Sequence, residues 1–507
     1  MSTKTFRKHI FCHAISISGH TKPLVALGIL VAEMRKDVAI TIFTNDVMYT
    51  QMMNELAKLP RERLEAVEKQ INILQVVLSN LNPFHPAPEV IPEFEKLYKQ
   101  SGTVTCLSSG KTIDGAHFPP PCVAVVDPFA DYALEGIRSI ATREPVPIVL
   151  WITGTAGASL MVWGPECYGG RGDFVSRIKQ EVENGKTELE AFTSEVAFGA
   201  SDNVLRIPGY PPCYDYERYP QAPRQAGIDC KMITMGYKSI TASEGILSIS
   251  SSVLEKESIE AWKEHFETIG KGFFAVAPLS IFSAPPKPRD PATERVLSFL
   301  ESMKDEFGDK SVLYFSFGSI TWPSDPAIFN AVIDQLIGTK MPFILAHPSP
   351  MFQPDQEVLE KIMSWAPQEL ILAHSATGWF LTHGGWNSLQ EALLYKVPLI
   401  FWPTTTDGPL NAMLLTLKFH AGFELIEVRT GKAGAQKPYR LGDNPTPDFT
   451  AVSAKAEVDR VLKDIQGEKG VFVRKNFEDL SAKIAKVWDD DGEARNELNA
   501  FLCRFVD

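Results

Sequence analysis

Short apolar runs alternate with helical patterns along both halves of the chain. The run His9–Ser16 is typical of a buried strand, and the following segment, Ser18–Met34, carries apolar residues at helical spacing. Pro23 suits the first turn of that helix, and Val38–Asp46 supplies a second strand. These elements predict a βαβ unit and, with it, a parallel sheet covered by helices.

Further apolar runs have the length of buried parallel strands. They lie within Ile71–Leu78, Pro121–Phe129, Pro147–Thr153, Ser311–Ser319, Pro342–Pro348, Gly378–Trp386 and Val397–Pro403. The chain has 507 residues, more than the roughly 250–300 that one core supports. We therefore predict an α/β fold with two Rossmann-like domains, 1–279 and 293–475. A proline-rich linker, 280–292, joins them, and the helical segment 476–507 is expected to pack back on the first domain.

Charge and composition narrow the class of protein. The 62 acidic and 50 basic side chains give a net charge of −12, and such a surface repels nucleic acid and anionic lipids. The chain has no signal-peptide pattern and no run of about 18 apolar residues, so we expect a soluble protein without membrane contacts. Seven scattered cysteines without metal-ligand spacing predict reduced thiols in a cytoplasmic protein.

The clearest chemistry lies in FLTHGGWNSLQEALL, residues 380–394. A strand ends at Thr382, Gly384 and Gly385 permit a tight turn, and a helix begins near Trp386. The unpaired N–H groups and the positive dipole end of such a helix bind phosphate. The pattern therefore predicts a diphosphate site at this turn.

Three polar residues recur at four-residue spacing from the same turn: His383, Asn387 and Glu391. This spacing places them along one stripe of the helix, leading from phosphate toward ribose. Glu391 offers two acceptor oxygens suited to a diol. Taken singly, His383 is also consistent with an ordinary strand-end histidine, and Glu391 with a solvated helix face.

The wider segment Trp365–Ala412 closely resembles the signature box of family-1 UDP-dependent glycosyltransferases, best known from plant secondary metabolism. Other segments follow in the order of that family, so the resemblance covers essentially the whole chain. They are Gly19–His20, Asp127, Ile207–Pro212, Gly245–Trp262 and Ser311–Ser319. The resemblance implies the GT-B architecture, in which two Rossmann-like domains face each other across a cleft. The N-terminal domain then binds an acceptor and the C-terminal domain a UDP-sugar.

The resemblance also implies roles in the donor site. Trp365 stacks on uracil, and the backbone of Ala366 and the side chain of Gln368 contact its edge and the ribose; Trp365 alone is also consistent with core packing. Glu391 holds the ribose. The implied phosphate contacts are Ser319, His383, Asn387 and Ser388.

Residues for the sugar are less sharply defined. Asp407 matches an acidic residue that accepts hydrogen bonds from sugar hydroxyls, although Asp-Gly is also a common turn pair. The family usually has Gln or His where this chain has Gly408, which leaves the sugar open. Trp386 is expected to line the same pocket. Thr155, or Thr153 in another register, resembles a threonine that touches the sugar.

Transfer with inversion needs a general base for the acceptor hydroxyl. His20 follows the first strand, where open α/β sheets bind ligands, and an imidazole accepts protons near neutral pH. Asp127, at another strand end, is expected to orient this imidazole, with Asp131 as the weaker alternative. By position alone, His20 is equally a helix-start residue and Asp127 a turn residue, and the resemblance favours the catalytic interpretation.

We therefore predict a metal-independent hexosyltransferase that moves a sugar, glucose by the resemblance, from a UDP-sugar to a hydroxyl of a small lipophilic or aromatic acceptor. The transfer is expected to invert the anomeric configuration and to give a β-glycoside. It is expected to be a monomer that needs no cofactor beyond its UDP-sugar co-substrate. The alternatives are a nucleotide-sugar epimerase of the same architecture and a catalytically silent UDP-sugar-binding protein. The acidic run Asp489–Asp491 is interpreted as a solvated helix end, not a metal site.

The acceptor itself is not identified by the sequence. Four residues in N-terminal loops are candidates for an aromatic acceptor pocket or for ordinary packing. They are Phe84, His85, Trp163 and Tyr210. Lys396, where the family usually has glycine, and the insertion-like segment Arg429–Pro447 receive no role.

Overall fold

The computed structural model describes residues 6–80, 82, 84–194, 196–222, 226–279, 291–318, 321–339, 341–346, 367–404 and 407–507, with the backbone alone at 226–228. Within these residues the strands are β1 Lys8–His13, β2 Val38–Asn45, β3 Ile71–Val77, β4 Thr103–Thr105, β5 Thr112–Asp114, β6 Val123–Val126, β7 Ile148–Ile152, β8 Val204–Leu205, β9 Cys213–Tyr214, β10 Gly245–Ser248, β11 Gly272–Ala275, β12 Val312–Ser316, β13 Phe343–Ala346, β14 Thr377–Thr382, β15 Leu399–Phe401 and β16 Gly422–Glu424.

Helices follow most of these strands. Their bounds are Ser18–Met34, Asp46–Leu56, Arg61–Val67, Val90–Tyr98, Asp131–Ile140, Ala156–Trp163, Phe174–Glu183, Glu188–Phe192, Ala226–Ala242, Ser252–Thr268, Pro291–Phe307, Pro326–Gly338, Gln368–Ala373, Trp386–Tyr395, Gly408–Met413, Gly431–Gly434, Ala451–Gln466, Glu468–Ile484 and Glu493–Phe505. Short 3-10 turns cover Gly115–His117, Glu166–Tyr168, Asp215–Arg218 and Tyr439–Leu441, and a π-helical turn covers Leu414–Lys418.

The first sheet is parallel and has the order β11-β10-β7-β6-β1-β2-β3. From β1 the chain moves outward to β3 and then returns to the other side of β1 to form β6, so the strand order reverses between β1 and β6. In open α/β sheets, ligands bind at such a reversal, beyond the carboxyl ends of the strands. We call the part of the molecule around this sheet the N-terminal lobe.

The second sheet, also parallel, has the order β13-β12-β14-β15-β16. Its strand order reverses between β12 and β14, which makes a second crevice of the same kind. The part around this sheet is the C-terminal lobe. Two lobes with parallel sheets covered by helices form the GT-B fold, which confirms the predicted fold class.

The first predicted helix has the predicted bounds, but two local details differ. Strand β1 ends at His13 and not at Ser16, because residues 14–17 leave the sheet as a loop that leads into the helix at Ser18. The structure places Pro23 in the second turn of the helix, not the first. Since proline has no N–H, the carbonyl of Gly19, four residues earlier, loses its usual helical donor.

The C-terminal helix Glu493–Phe505 lies against the edge strand of the first sheet. The ring of Phe501 is 5.8 Å from that of Phe274 in β11, and the Arg504 guanidinium donates a hydrogen bond of 2.6 Å to the carbonyl of Gly270. Residues 280–290 of the predicted linker lie outside the described residues. The last two residues of that linker are helical, because a helix begins at Pro291.

Candidate active site between the two lobes

The strand reversal of the N-terminal lobe brings His20 and Asp127 together. His20 lies in the first turn of the helix after β1, and Asp127 directly follows β6. The backbone N–H of Asp127 donates to the carbonyl of His13 at 3.0 Å, which extends the pairing of β1 and β6 by one residue. As a result, Nδ1 of His20 lies 2.6 Å from Oδ2 of Asp127.

The surroundings of this pair fix the orientation of the imidazole. Asp127 is fully buried, and its Oδ1 accepts a hydrogen bond of 2.9 Å from the N–H of Phe129. The carbonyl of His20 accepts a hydrogen bond of 2.9 Å from the indole of Trp151. The side chain of His20 keeps 18% of its surface exposed. With Nδ1 held by a carboxylate, Nε2 is the nitrogen that can take up a proton.

Aromatic side chains form a wall beside His20. The ring centroid of Phe129 lies 6.0 Å from that of the imidazole. The ring centroids of Phe84 and Trp163 lie 6.2 Å and 6.0 Å from that of Phe129. Phe84 and Trp163 therefore lie where the sequence placed a possible acceptor pocket. Tyr210 is buried instead.

The buried Tyr210 serves the packing of the lobe. Its hydroxyl donates a hydrogen bond of 2.6 Å to the buried carboxylate of Glu255. Near the carboxyl ends of β1, β2 and β3, a cavity of about 220 Å³ has a largely polar lining that includes His13, Asn45, His85 and Tyr132.

In the C-terminal lobe, the turn after β14 has the geometry that the sequence predicts for a phosphate site. Gly384 has φ +91°, a conformation that glycine adopts without strain, and a Cβ there would lie 2.9 Å from the carbonyl oxygen of Gly408. The helix then begins at Trp386 without a side-chain cap. Among the described residues, the backbone N–H groups of Asn387 and Ser388 have no acceptor. These groups and the helix dipole can bind an anion.

His383 lies under this turn, at the strand reversal of the second sheet. A Cβ added to Gly318 or to Gly385 would come within 3 Å of its imidazole, so the ring fills the space between the ends of β12 and β14. Its Nδ1 is buried without a hydrogen-bond partner among the described residues. Burial lowers the pKa of His383 to about 4, although the backbone of Ser316 acts in the opposite direction. The imidazole is therefore neutral near pH 7 and can donate one N–H to a ligand.

The helix that begins at Trp386 also joins the two lobes. The amide of Asn387 donates a hydrogen bond of 3.1 Å to the carbonyl of Gly19, which is the carbonyl that Pro23 leaves without a helical donor. The indole of Trp386 is buried, and its N–H donates to the carbonyl of Ile249 in the N-terminal lobe. The predicted phosphate turn thus lies next to His20. Trp386 contacts the other lobe through its indole and presents its backbone at the helix start.

Gln368, Ser388 and Glu391 form one hydrogen-bonded group in the C-terminal lobe. The amide nitrogen of Gln368 lies 2.6 Å from Oε2 of Glu391 and 3.2 Å from the hydroxyl of Ser388. The oxygen of the same amide accepts a hydrogen bond of 3.3 Å from the hydroxyl of Tyr314. The sequence placed these three residues in one site by resemblance, and the structure brings them into contact.

Asp407 anchors the phosphate turn from below. Its Oδ2 accepts hydrogen bonds from the backbone N–H of Trp386 at 3.2 Å and from the amide of Asn411 at 3.0 Å. Asn411 is fully buried and also donates to the carbonyl of Gly384 at 2.8 Å. Asn411 is not among the residues predicted from the sequence. Its signal is the four-residue spacing from Asp407, which places both side chains on one helix face.

Thr155 has a structural role that the sequence analysis did not predict. The residue is fully buried, and its hydroxyl caps the helix Ala156–Trp163 by accepting from the N–H of Ala158 at 3.3 Å. A contact between Thr155 and the sugar stays a prediction. Ser319, Trp365 and Ala366 lie outside the described residues.

The described residues lack two features of other functional classes. None of their helices combines the length and the apolar character required to cross a bilayer. In the same part of the chain, no three His, Cys, Asp or Glu side chains gather closely enough to bind a metal ion.

The chain is similar to several known proteins. The sequence model of the family described as UDP-glucoronosyl and UDP-glucosyl transferase matches residues 283–432. UDP-glycosyltransferase eriJ of Hericium erinaceus is 28% identical to this chain, over 99% of each. UGT71G1 of Medicago truncatula, solved with UDP-glucose, superposes with a TM-score of 0.66 at 20% identity, over 98% of both chains.

A second structure has the same fold. UGT2 of Phytolacca americana, solved with UDP-2fluoro-glucose and pterostilbene, superposes with a TM-score of 0.63 at 18% identity. The match covers 98% of this chain and 100% of that one. Together with the turn, the helix and the facing lobes described above, these matches show that the chain has the GT-B fold and is similar over its length to UDP-dependent glycosyltransferases.

Proposed function

We propose that this enzyme transfers glucose from UDP-glucose to a hydroxyl of a small aromatic or lipophilic acceptor, with His20 as general base and with inversion to a β-glycoside. One observation carries the proposal. The imidazole of His20, held by a buried carboxylate at 2.6 Å, directly follows Gly19, whose carbonyl accepts a hydrogen bond from Asn387 on the candidate donor helix. Base and donor helix are therefore neighbours across the cleft.

The donor side supports binding of a nucleoside diphosphate. The helix start offers unpaired N–H groups to the two phosphates, and the neutral imidazole of His383 adds a donor. Glu391 can accept both hydroxyls of a ribose from the position where Gln368 now contacts it. Positive charge from the helix dipole stabilises the leaving diphosphate, so we propose transfer without a metal ion.

The proposed reaction is one displacement at the anomeric carbon. Nε2 of His20 removes the proton of the acceptor hydroxyl, and the oxygen forms a bond to the anomeric carbon. The bond from that carbon to the β-phosphate oxygen breaks, and its electron pair leaves with UDP. Asp127 stabilises the imidazolium that forms. Attack from the face opposite the leaving group inverts the configuration and gives a β-product from an α-linked donor.

The acceptor class is proposed from the wall beside the base. Phe129, Phe84 and Trp163 present aromatic surface within reach of His20, which favours a planar or lipophilic acceptor. The structure of UGT2 of Phytolacca americana contains pterostilbene, a small aromatic molecule. All seven cysteines are free thiols, which supports action in the reducing cytoplasm.

Glucose is proposed as the sugar from the UDP-glucose in the structure of UGT71G1. Gly408 has no side chain that could form hydrogen bonds with the sugar hydroxyls, so the preference among UDP-sugars must be measured directly. A panel of phenols, terpenoids and sterols is incubated with UDP-glucose, UDP-galactose, UDP-xylose, UDP-glucuronate or UDP-N-acetylglucosamine, and the products are detected by mass. We expect the largest turnover with UDP-glucose and a phenolic or terpenoid alcohol.

Two controls sharpen this experiment. The anomeric coupling of the product by NMR should be that of a β-glycoside, and an α-product would contradict the inverting mechanism. Addition of EDTA should leave the rate of transfer unchanged. A loss of activity in EDTA would contradict transfer without a metal ion. If no UDP-sugar yields a product with any acceptor while UDP-glucose still binds, the proposal of a catalytic base fails.

A further inference from the structure

Five charged side chains form a cluster where the two lobes meet beside the donor site. Lys22, Glu55 and Lys58 belong to the N-terminal lobe, and Glu369 and Glu391 belong to the C-terminal lobe. We call this group the interlobe charge cluster. No role in the reaction described above has been given to its lysines.

Glu369 is the residue through which the ion pairs of the cluster cross the cleft. The ammonium of Lys58 lies 2.6 Å from its carboxylate and that of Lys22 lies 3.6 Å away. The same two lysines also approach Glu55 of their own lobe, at 2.8 Å and 3.5 Å. The side chains of Lys58, Glu55 and Glu369 expose only 10–13% of their surface, so water screens the pairs of Lys58 less than pairs on the surface. The side chain of Lys22 is 36% exposed.

The cluster is joined to both halves of the active site. Lys22 lies two residues after His20, in the same helix. Glu369 directly follows Gln368, the residue that contacts Glu391 at 2.6 Å. The ion pair of Lys22 with Glu369 therefore connects the helix of the base to the helix that carries Gln368.

The electrostatic environment of Glu391 depends on Lys22. Burial raises the pKa of the Glu391 carboxyl, and the negative charge of Glu369 raises it further. The positive charge of Lys22 is the largest influence that lowers this pKa, and Lys58 has a smaller effect in the same direction. The pKa of Lys22 shows the reciprocal effect, since burial would lower it but Glu391, Glu55 and Glu369 raise it above its ordinary value. The other groups that face Glu391 are the amide of Gln368 and the hydroxyls of Tyr314 and Tyr395.

We propose that Lys22 is a positioning residue for donor binding, which pairs across the cleft with Glu369 and keeps Glu391 ionised so that its carboxylate can accept the donor ribose. This proposal rests on the proposed function, because it takes Glu391 as the ribose acceptor. Lys58 supports Lys22 by holding Glu369 and Glu55. Three carboxylates share two lysines in the cluster, so loss of either lysine leaves excess negative charge at Glu391.

The consequence is a pH dependence with a definite sign. A protonated Glu391 offers one acceptor fewer, so donor affinity falls as the pH falls through the pKa of that carboxyl. Without Lys22 this pKa rises further, and affinity is then lost at a higher pH than in the wild type. A neighbouring opposite charge changes a carboxyl pKa by about one unit or more.

The test is calorimetric titration of UDP-glucose, without acceptor, into the wild type, Lys22→Met and Lys22→Arg at about pH 6 and about pH 8. For Lys22→Met we expect Kd to rise about tenfold at the lower pH and less than about threefold at the higher pH. Lys22→Arg keeps the charge and should follow the wild type. Lys58→Met should shift Kd in the same direction, by less. An equal change at both pH values, or none, would overturn the proposal.

A matched control separates this effect from a general loosening of the lobes. Lys418 forms another ion pair across the cleft, 3.1 Å from Glu257, and takes no part in the interlobe charge cluster. Lys418→Met should leave the pH dependence of UDP-glucose binding unchanged, and a shift equal to that of Lys22→Met would contradict the specific role of Lys22. A wild type that binds no UDP-glucose at either pH would instead refute the proposed function itself.

Discussion

The two strand reversals of this enzyme each place a histidine at the cleft, and the two histidines differ in their chemistry. His20, in the N-terminal lobe, is partly exposed and has a buried carboxylate on Nδ1. His383, in the C-terminal lobe, has a buried Nδ1 without a partner among the described residues, and its pKa is lowered to about 4. A histidine near the strand reversal thus serves as a proposed base in one lobe and as a neutral hydrogen-bond donor in the other. The difference comes from the neighbour that each sheet supplies.

Removal of the buried carboxylate of Asp127, which holds the imidazole of His20, should lower kcat strongly. Asp127→Asn keeps the size of the buried side chain but removes the charge that stabilises an imidazolium, and we expect kcat to fall about 100-fold. UDP-glucose affinity, measured by calorimetry, should change little because Asp127 lies in the other lobe.

Asp131 offers a matched control for that variant. It begins the next helix, and its carboxylate accepts a hydrogen bond from the backbone N–H of Tyr132. Asp131→Asn should leave kcat within about threefold of the wild type. If the two variants lose activity equally, Asp127 has no special part in the reaction.

The neutral state of His383 is tested by acid stability. Its folded pKa of about 4 lies below the ordinary value of about 6.5, so the unfolded chain takes up a proton first as the pH falls. The contribution of the neutral His383 to the free energy of unfolding is therefore complete above about pH 6.5 and is lost progressively toward pH 4. At pH 5 the loss amounts to about 2 kcal/mol. Urea unfolding of His383→Asn should show less acid sensitivity than the wild type, and identical sensitivity would contradict a neutral, buried imidazole.

The contact between the two crevices is tested at Gly19. A Cβ at this position would lie 2.7 Å from the side-chain amide nitrogen of Asn387, so Gly19→Ala displaces this amide and disturbs its hydrogen bond across the cleft to the carbonyl of Gly19. We expect kcat to fall about tenfold, because small displacements of reacting groups are costly.

Gly28, in the same helix, provides the control for Gly19→Ala. A Cβ there would find its nearest neighbour at 3.8 Å, an ordinary contact. Gly28→Ala should therefore keep kcat at the wild-type value in the same steady-state assay. Equal losses in both variants would indicate a general effect on the helix, not on the approach of the lobes.

The smallest expected effect concerns the end of the donor helix. Lys396 has φ +57° at its C-terminus, a left-handed conformation that costs a residue with a side chain roughly 1–2 kcal/mol. Lys396→Gly should raise the free energy of unfolding in urea by about 1 kcal/mol without a change in UDP-glucose affinity. A destabilised variant would show that this conformation carries no cost here.

The sequence predicted much of the fold because its signals are local. Apolar runs of strand length and the helix Ser18–Met34 follow from hydrophobic periodicity, and the turn at Gly384–Gly385 follows from glycine chemistry. The grouping of Gln368, Ser388 and Glu391, which are now seen in contact, came from a family resemblance and not from periodicity.

The details that the sequence could not predict depend on how the lobes meet. The indole of Trp386 contacts Ile249, more than a hundred residues away, and no periodicity encodes such a pairing. The resemblance implies a sugar contact for Thr155, and no local pattern predicts that its side chain is buried as a helix cap. Lys22 joins a cluster whose carboxylates lie on three different helices. Its position beside His20 gave no sign of those partners.

Parallel measurements of UDP-glucose affinity and of kcat at saturating UDP-glucose in His20→Ala and in His383→Ala test the roles of the two histidines. We predict that His20→Ala binds UDP-glucose like the wild type but loses about 1000-fold in kcat, whereas His383→Ala binds the donor about tenfold more weakly and keeps most of its kcat. Weaker UDP-glucose binding in His20→Ala with a lower kcat in His383→Ala, or equal losses of affinity and kcat in both variants, would contradict the roles of His20 as base and of His383 as neutral hydrogen-bond donor.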